Sequence, residues 1–395
     1  MKIGIYGGTF DPIHRGHITA AQAAAQQLGL DLLLLIPANI PPHKALPEGG
    51  ADAAQRLEMA TLATAELSCP AQVLDVEVRR QGKSYTADTL RTLRRQYPED
   101  ELWLLMGTDM FLSLQDWHEP QEILRLVRVA AFSRTGDPEQ QRFARQKAYL
   151  EETFGAQVTV VENPHVVDIS STRLRQLLPE GREYLPEAVY GYILRQRLYG
   201  THADLKHLTP EELRPIALSF LKPKRMPHVL GTEQEAIRLA RRYGADETDA
   251  RIAALLHDCT KKLDMEQQLA LCRRYDIRLD GLEQHALKLL HAKTGAAVAR
   301  DLFGVKDAVY EAIRWHTTGK PDMTLLEKVI YLADYIEPNR DFPGVERLRR
   351  AVYDDLDKGL LMGLSDTIDE MERMGNPVHH DTLEARDFLL RGEAK

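Results

Sequence analysis

The sequence predicts two fold classes in tandem: an α/β domain with a doubly wound parallel sheet, then an all-α domain. Three observations predict this. At 395 residues the chain exceeds one ordinary domain. Its first half alternates short apolar runs with helical stretches, and the runs are mostly continuous, as expected of strands buried on both faces of a parallel sheet. After about Tyr199 no convincing strand follows and every periodic segment reads as helix. The first half is therefore expected to be Rossmann-like, built from βαβ units.

In chain order, strands are expected at Ile3–Tyr6, Leu32–Ile36, Val73–Val78, Leu102–Met106, Val129–Phe132 and Val158–Val161. Helices are expected between them, at Ala20–Leu28, Ala53–Glu66 and Ala87–Gln96. In the second half, Gly231–Tyr243, Thr248–Leu256, Lys293–Phe303, Asp307–Trp315, Thr324–Ile336 and Tyr353–Arg373 carry helical patterns. Gly200-Thr201-His202 is a plausible joint and Pro210 suits a helix start. The domains are placed at about 1–200 and 205–392, with no internal repeat and no low-complexity tract between them.

Composition narrows the function. The hydrophobic share is 44%, enough for sizeable cores, and the net charge is −8. An acidic chain argues against a nucleic-acid backbone binder. Three cysteines without a pairing motif, Cys69, Cys259 and Cys272, suit a reducing, cytoplasmic setting. The first residues read as a strand rather than a signal segment, and the apolar run Leu32–Pro37 is too short to span a membrane.

The most informative string is Gly7-Gly8-Thr9-Phe10-Asp11-Pro12-Ile13-His14-Arg15-Gly16-His17. It joins the first strand to an Ala-rich helix, where backbone N–H groups point outward and bind anions. Gly7 and Gly8 allow close backbone approach to a ligand. His14 and His17, three apart, share one side of a starting helix and can stabilise charge on a transferring phosphoryl group. Ile169-Ser170-Ser171-Thr172-Arg173 places hydroxyls, amides and a cation at another helix start, although an ordinary N-cap with a surface arginine has the same pattern. Gly107-Thr108-Asp109 follows a strand, where open α/β sheets bind ligands. Lys44 follows the second strand and Arg134 the fifth, and each can reach a phosphate. Trp117 offers a stacking surface for a ligand ring, or a core ring.

The tetrad His14-Arg15-Gly16-His17 resembles the nucleotidylyltransferase signature, and the wording of the whole string resembles the bacterial nicotinate mononucleotide adenylyltransferase branch. Ile169 to Arg175 resembles the superfamily's second signature. Ser84 to Leu90 and Asp116-Trp117-His118 resemble strings of the same branch. The resemblance implies ATP contacts at Gly8, Thr9, Phe10, His14, His17, Gly107, Asp109, Ile169, Ser170, Ser171 and Arg173. It implies nicotinate-nucleotide contacts at Lys44, Thr86, Trp117, His118 and Arg134. The implied reaction is in-line: the phosphate of nicotinate mononucleotide attacks the α-phosphorus of ATP, Mg²⁺ assists, and pyrophosphate leaves. His14, His17 and Arg173 would carry the catalysis. Pantetheine-phosphate or nicotinamide-nucleotide specificity is the alternative.

In the second half, His228, His257-Asp258 and Asp334 offer imidazoles and carboxylates from separate helices. A carboxylate in an apolar helix needs a partner, and a metal is a common one. His291 and His316 extend the set to a second ion. The order resembles the HD superfamily of metal-dependent phosphohydrolases. The string Ala333 to Val345, with Asp334-Tyr335-Ile336-Glu337-Pro338-Asn339-Arg340, resembles the YqeK-type enzymes that cut diadenosine tetraphosphate symmetrically into two ADP. That resemblance implies Asp258 among the catalytic residues and one or two transition-metal ions, iron first, with manganese or zinc as alternatives. It also implies polyphosphate contacts at Arg225, Lys261 and Arg340. Another nucleotide substrate, or a nucleotide-binding regulatory role, stays open. The expected partners are small nucleotides, with neither nucleic acid nor membrane, and self-association is left open.

Overall fold

The computed structural model describes residues 1–41, 48–80, 82–133, 137–162 and 167–393. The chain forms two compact units, Met1–His202 and Ala203–Lys395.

The first unit runs β1 (Lys2–Gly8), α1 (Arg15–Leu28), β2 (Leu32–Pro37), α2 (Ala53–Ala63), β3 (Ala71–Val73), α3 (Thr86–Gln96), β4 (Glu101–Met106), α4 (Thr108–Leu112), α5 (Pro120–Leu126), β5 (Arg128–Ser133), α6 (Asp137–Phe154), β6 (Val158–Glu162), α7 (Ser171–Leu177) and α8 (Glu187–Gln196). The six strands form one parallel sheet in the order β3-β2-β1-β4-β5-β6. Strand order reverses between β1 and β4, so the crevice at their carboxyl ends lies beside Gly7, Gly8 and Gly107. Ile3, Leu34, Leu104 and Val129 are buried in the sheet's core, which explains the unbroken apolar runs.

Two expected elements differ. The helix over Ala20–Leu28 begins at Arg15, because His14 is its N-cap in extended geometry. Gly29 ends it at φ 63°, in the left-handed region that a glycine adopts without strain. The strand expected at Val73–Val78 is shifted: pairing occupies only Ala71–Val73. Beyond it the backbone turns, with Arg79 N–H on Asp75 O (2.8 Å) and Arg80 N–H on Glu77 O (3.1 Å). The turn delivers Glu77 to the hydroxyl of Thr89, 2.7 Å away on α3.

The second unit is helical: α9 (Pro210–Leu218), α10 (Met226–Tyr243), α11 (Glu247–Leu256), α12 (Met265–Arg274), α13 (Leu287–Phe303), α14 (Asp307–Trp315), α15 (Leu325–Ile336), α16 (Val345–Asp354), α17 (Leu356–Arg373) and α18 (His380–Glu393). The helix expected over Tyr353–Arg373 is two, broken at Asp355. That carboxylate accepts the N–H groups of Asp357 and Lys358 at 2.9 Å each and so starts α17. Pro227 sits in the first turn of α10, where a missing N–H costs no helical bond. Helix α10 packs on α11 and α15, and α14 packs on α11, α13 and α15. No described helix is long and apolar enough to cross a membrane.

Candidate active sites

In the first unit, a cavity of about 400 Å³ opens at the sheet's switch point. Gly7, Gly8, Thr9, His17, Met106 and Gly107 line it, and so do Thr86, Trp117 and His118. The phosphate-turn residues and the predicted pyridine-end residues thus share one space. His17 Nδ1 accepts the backbone N–H of His14 at 3.2 Å. The neutral ring therefore carries its hydrogen on Nε2, free to donate to a phosphate oxygen. The two rings lie 3.8 Å apart between centroids. Burial pushes the His14 imidazole down to about 4. Burial, and then the neighbouring His14, hold His17 well below the ordinary histidine range. At neutral pH both are hydrogen-bonding groups, not cations.

Other expected contacts are not among the residues lining this cavity. Phe10 is buried against Tyr6 and His17, with edge-on ring separations of 5.7 and 5.2 Å. A Cβ on Gly8 would come within 2.9 Å of the Phe10 ring, so that glycine is required by packing. Ser170 Oγ accepts the N–H of Arg173 (3.2 Å), as a helix cap does, and the Arg173 side chain is exposed. Ser171 Oγ donates to Pro12 O at 2.9 Å, and Ile169 is buried. Arg175 Nη1 donates to Asp11 O at 2.6 Å. This whole segment therefore braces the turn before α1. Asp109 is exposed on α4. Lys44 and Arg134 lie outside the described residues.

Arg56 is a residue that motif reading missed. It is 0% exposed, and its guanidinium donates to Thr9 O (2.8 Å), Ala38 O (2.5 Å), Asn39 O (2.9 Å) and Ala51 O (3.3 Å). One buried cation thus fixes the loops after β1 and β2. Asp11 backs it, accepting Tyr199 O–H at 2.6 Å and Ala51 N–H at 3.1 Å. The available signal was spacing: Arg56 shares a helix face with buried Met59, Ala60 and Ala63.

In the second unit, four imidazoles and two carboxylates converge. His228 lies in the first turn of α10, His257 and Asp258 just past α11, His291 on α13, His316 at the end of α14, and Asp334 on α15. His228 Nε2 stands 3.4 Å from His257 Nε2 and 2.9 Å from Asp334 Oδ1. His291 Nε2 stands 3.1 Å from His316 Nε2 and 3.2 Å from Asp258 Oδ1. Asp258 Oδ2 is 3.5 Å from His257 Nε2, so this carboxylate lies between the two groups. At this centre two triads that share His257 meet a metal's reach: His228, His257 and Asp334, and His257, Asp258 and His316.

The donor set fits divalent transition ions. Ligand atoms about 2.0–2.2 Å from a common ion stand roughly 3–4 Å from one another, as these do. Asp258 Oδ1, in a side chain 0% exposed, has no hydrogen-bond partner. His257 Nδ1 and His316 Nδ1 each face a carbonyl, Ala254 O and Ile313 O, at 2.6 Å, which leaves the Nε2 lone pairs for a metal. Burial lowers His257, His291 and His316 against the pull of Asp258 and Asp334. Burial would raise Asp258, yet His257, His291 and Lys261 hold it well below the carboxylate range.

Arg225 Nε pairs with Asp258 Oδ2, and Arg340 Nη2 lies 2.7 Å from Asp334 Oδ1. Lys261 Nζ is 2.9 Å from His291 Nε2. Together with Lys288, Tyr331 and Tyr335 these cations line a cavity of about 340 Å³. The Cys259 thiol, pushed up to about 12 by burial, faces Gly295 O instead and is a packing group.

A cytidylyltransferase-like family model matches residues 5–177 and an HD domain model matches residues 225–339. A probable nicotinate-nucleotide adenylyltransferase of Gloeobacter violaceus is 43% identical over 209 residues, 51% of this chain and 98% of that protein. A symmetrical bis(5'-nucleosyl)-tetraphosphatase of Halalkalibacterium halodurans is 43% identical over 183 residues, 44% of this chain and 95% of that protein. The chain belongs to both families, one in each half. A solved structure from Clostridium acetobutylicum, titled a predicted HD superfamily hydrolase involved in NAD metabolism, is 41% identical. It covers 47% of this chain and 98% of its own, with a TM-score of 0.46. In the adenylyltransferase half the Gly-rich turn falls at the sheet's switch point. In the tetraphosphatase half the motif histidines and aspartates meet at one centre, joined by Glu337, which motif reading left without a role.

Proposed function

We propose that the chain is a bifunctional enzyme. The first unit transfers the adenylyl group of ATP to nicotinate mononucleotide, giving deamido-NAD and pyrophosphate. The second hydrolyses diadenosine tetraphosphate symmetrically to two ADP. The observation that carries the first reading is the shared cavity. Gly8, Thr9 and His17 line it together with Thr86, Trp117 and His118, so one space is offered to both halves of a dinucleotide product.

The transfer needs no protein nucleophile, since the mononucleotide's phosphate supplies one. The chain's part is alignment and charge stabilisation. His17 donates from Nε2 to the triphosphate, and the α1 N-terminus adds backbone amides. Mg²⁺ travels with ATP and shares its phosphate charge. His14 supports His17 by ring contact and by its N–H. Thr86, in the first turn of α3, and the Trp117-His118 segment receive the pyridine end.

In the second unit, His228, His257 and Asp334 would hold one ion and His291, His316 and Asp258 another, with Asp258 shared. Iron suits this mixed set best, with manganese and zinc as alternatives. When bound, such ions generate hydroxide and polarise a phosphoanhydride. Arg225, Lys261 and Arg340 orient the polyphosphate from the cavity wall.

The test uses the full chain with ATP and either nicotinate or nicotinamide mononucleotide, and separately with diadenosine tetraphosphate, products being resolved by chromatography. Deamido-NAD in strong preference to NAD, and ADP alone from the tetraphosphate, are expected. Equal rates with the two mononucleotides would overturn the pyridine-end assignment. ATP plus AMP from the tetraphosphate would overturn the symmetrical cut. A fully active His17→Ala enzyme would remove the role of His17.

A further inference from the structure

The four imidazoles of the second unit are not held alike. His257 and His316 turn Nδ1 to carbonyls of their own chain segment, and the buried Nδ1 of His291 has no hydrogen-bond partner. His228 alone turns Nδ1 to a carboxylate: Glu337 Oε1, 3.1 Å away. Glu337 is 1% exposed. A carboxylate so buried costs several kcal/mol unless its lone pairs are met. Here they are met by a built arrangement. Oε2 accepts the backbone N–H of Asn339 at 2.7 Å and its Nδ2–H at 2.9 Å. Asn339 Nδ2 also donates to Pro227 O at 2.9 Å, tying this turn to the residue before His228. Across the carboxylate lies Gly231, one helical turn on from His228. A Cβ there would collide with Glu337 Oε2 and come within 2.8 Å of Asn339 Nδ2. A glycine, an asparagine and a proline carbonyl thus shape one slot, and the group in the slot faces a histidine.

We infer that Glu337 is a positioning residue that fixes His228 as the Nδ1–H tautomer and thereby sets the metal affinity of the His228–His257–Asp334 site. The inference rests on reading this centre as a metal site. The carboxylate accepts the Nδ1 hydrogen, which leaves Nε2 unprotonated and aimed between His257 Nε2 and Asp334 Oδ1. It also makes the imidazole a stronger donor than a carbonyl would. One turn therefore carries both a ligand, Asp334, and the group that orients another ligand on a different helix. In the second grouping, around His291 and His316, neither ring Nδ1 faces a carboxylate: His316 Nδ1 faces Ile313 O and His291 Nδ1 has no hydrogen-bond partner.

The full-length protein is stripped of metal, and Zn²⁺ affinity is measured by chelator competition for wild type, Glu337→Gln and, as a second route to the same displacement, Gly231→Ala. Both variants should lose about 10- to 100-fold in affinity at one site and keep the wild-type affinity at the other. Metal-free thermal unfolding should stay close to wild type in Glu337→Gln, which a merely structural role would not allow. Selective ¹⁵N-histidine NMR of the Zn²⁺-loaded wild type needs no variant, and it should find the His228 hydrogen on Nδ1. Unchanged affinity at both sites in a folded Glu337→Gln protein, or the His228 hydrogen on Nε2, would overturn the inference. Wild type that takes up no metal would instead overturn the metal-centre reading itself.

Discussion

Acid should destabilise the first unit through His14. Its ring is 5% exposed, and burial lowers it from 6.5 to about 4. The sign follows from proton binding. Between these two values the unfolded chain takes up a proton that the folded ring refuses. Stability from this group is thus complete above pH 6.5 and is lost as pH falls toward 4. The full shift corresponds to about 3 kcal/mol, and about 2.5 kcal/mol of it is gone by pH 4.5. His17 is lowered by the same causes and adds loss of the same sign. The assay is urea unfolding of wild type and His14→Asn at pH 7 and pH 4.5. Groups distant from His14 cancel in the comparison, while His17 keeps its burial but loses the His14 contribution in the variant, so wild type should lose at least about 2 kcal/mol more than the variant over that interval. Parallel losses would refute the reasoning, because His14 would then titrate alike in the folded and unfolded chain.

Arg56→Met should cost about 3–5 kcal/mol in denaturant unfolding, since four carbonyls lose one buried charged donor; a cost under 1 kcal/mol would contradict the clamp. Glu77 is raised, chiefly by burial and against the hydroxyls of Thr89 and Ser84. Its ionised form therefore weakens the fold, and the stability of Glu77→Gln relative to wild type should grow from pH 5 to pH 8. Asp258→Asn should lower metal content, read by elemental analysis, by loss at the His291–His316 site, and cut tetraphosphate hydrolysis by at least about 100-fold while adenylyl transfer is unchanged. Arg340→Met should shift metal affinity if its chief partner is Asp334, 2.7 Å away, and the Michaelis constant for the tetraphosphate if its chief partner is phosphate.

Much of the fold was legible because strand burial writes itself as unbroken apolar runs. Leu32–Pro37 and Glu101–Met106 sit centrally in the sheet and could be read directly. β3 pairs on one side only, and its short ladder ends at Val73. Leu74, Val76 and Val78 keep the apolar spacing of a strand while the backbone turns, and the contact this turn makes, Glu77 with Thr89, is tertiary and invisible to local spacing. The break at Asp355 was similarly hidden. A capping aspartate and an interior one look alike until its neighbours' N–H groups are placed.

The sites divide along the same line. Residues whose chemistry is named by their type were found: imidazoles and aspartates for a metal, a Gly-rich turn for phosphate. Residues that hold those in place were not, because their work depends on burial, which the side chain's polarity disguises. Arg56, Glu337 and Asp11 are all buried and all charged, and a sequence scan assigns such residues to the surface by default. The same blindness affects Arg225, Lys261 and Arg340. Reading them as polyphosphate receptors follows from the family resemblance, which does not disclose that Arg225 and Arg340 rest on Asp258 and Asp334 and that Lys261 rests on His291. A cation engaged with a ligand carboxylate competes with the metal for that carboxylate. On the proposed metal-centre reading, metal binding at Asp258 and Asp334 would therefore be coupled to release of these cations toward the 340 Å³ cavity, a coupling that neither the histidine motif nor the arginine pattern discloses separately.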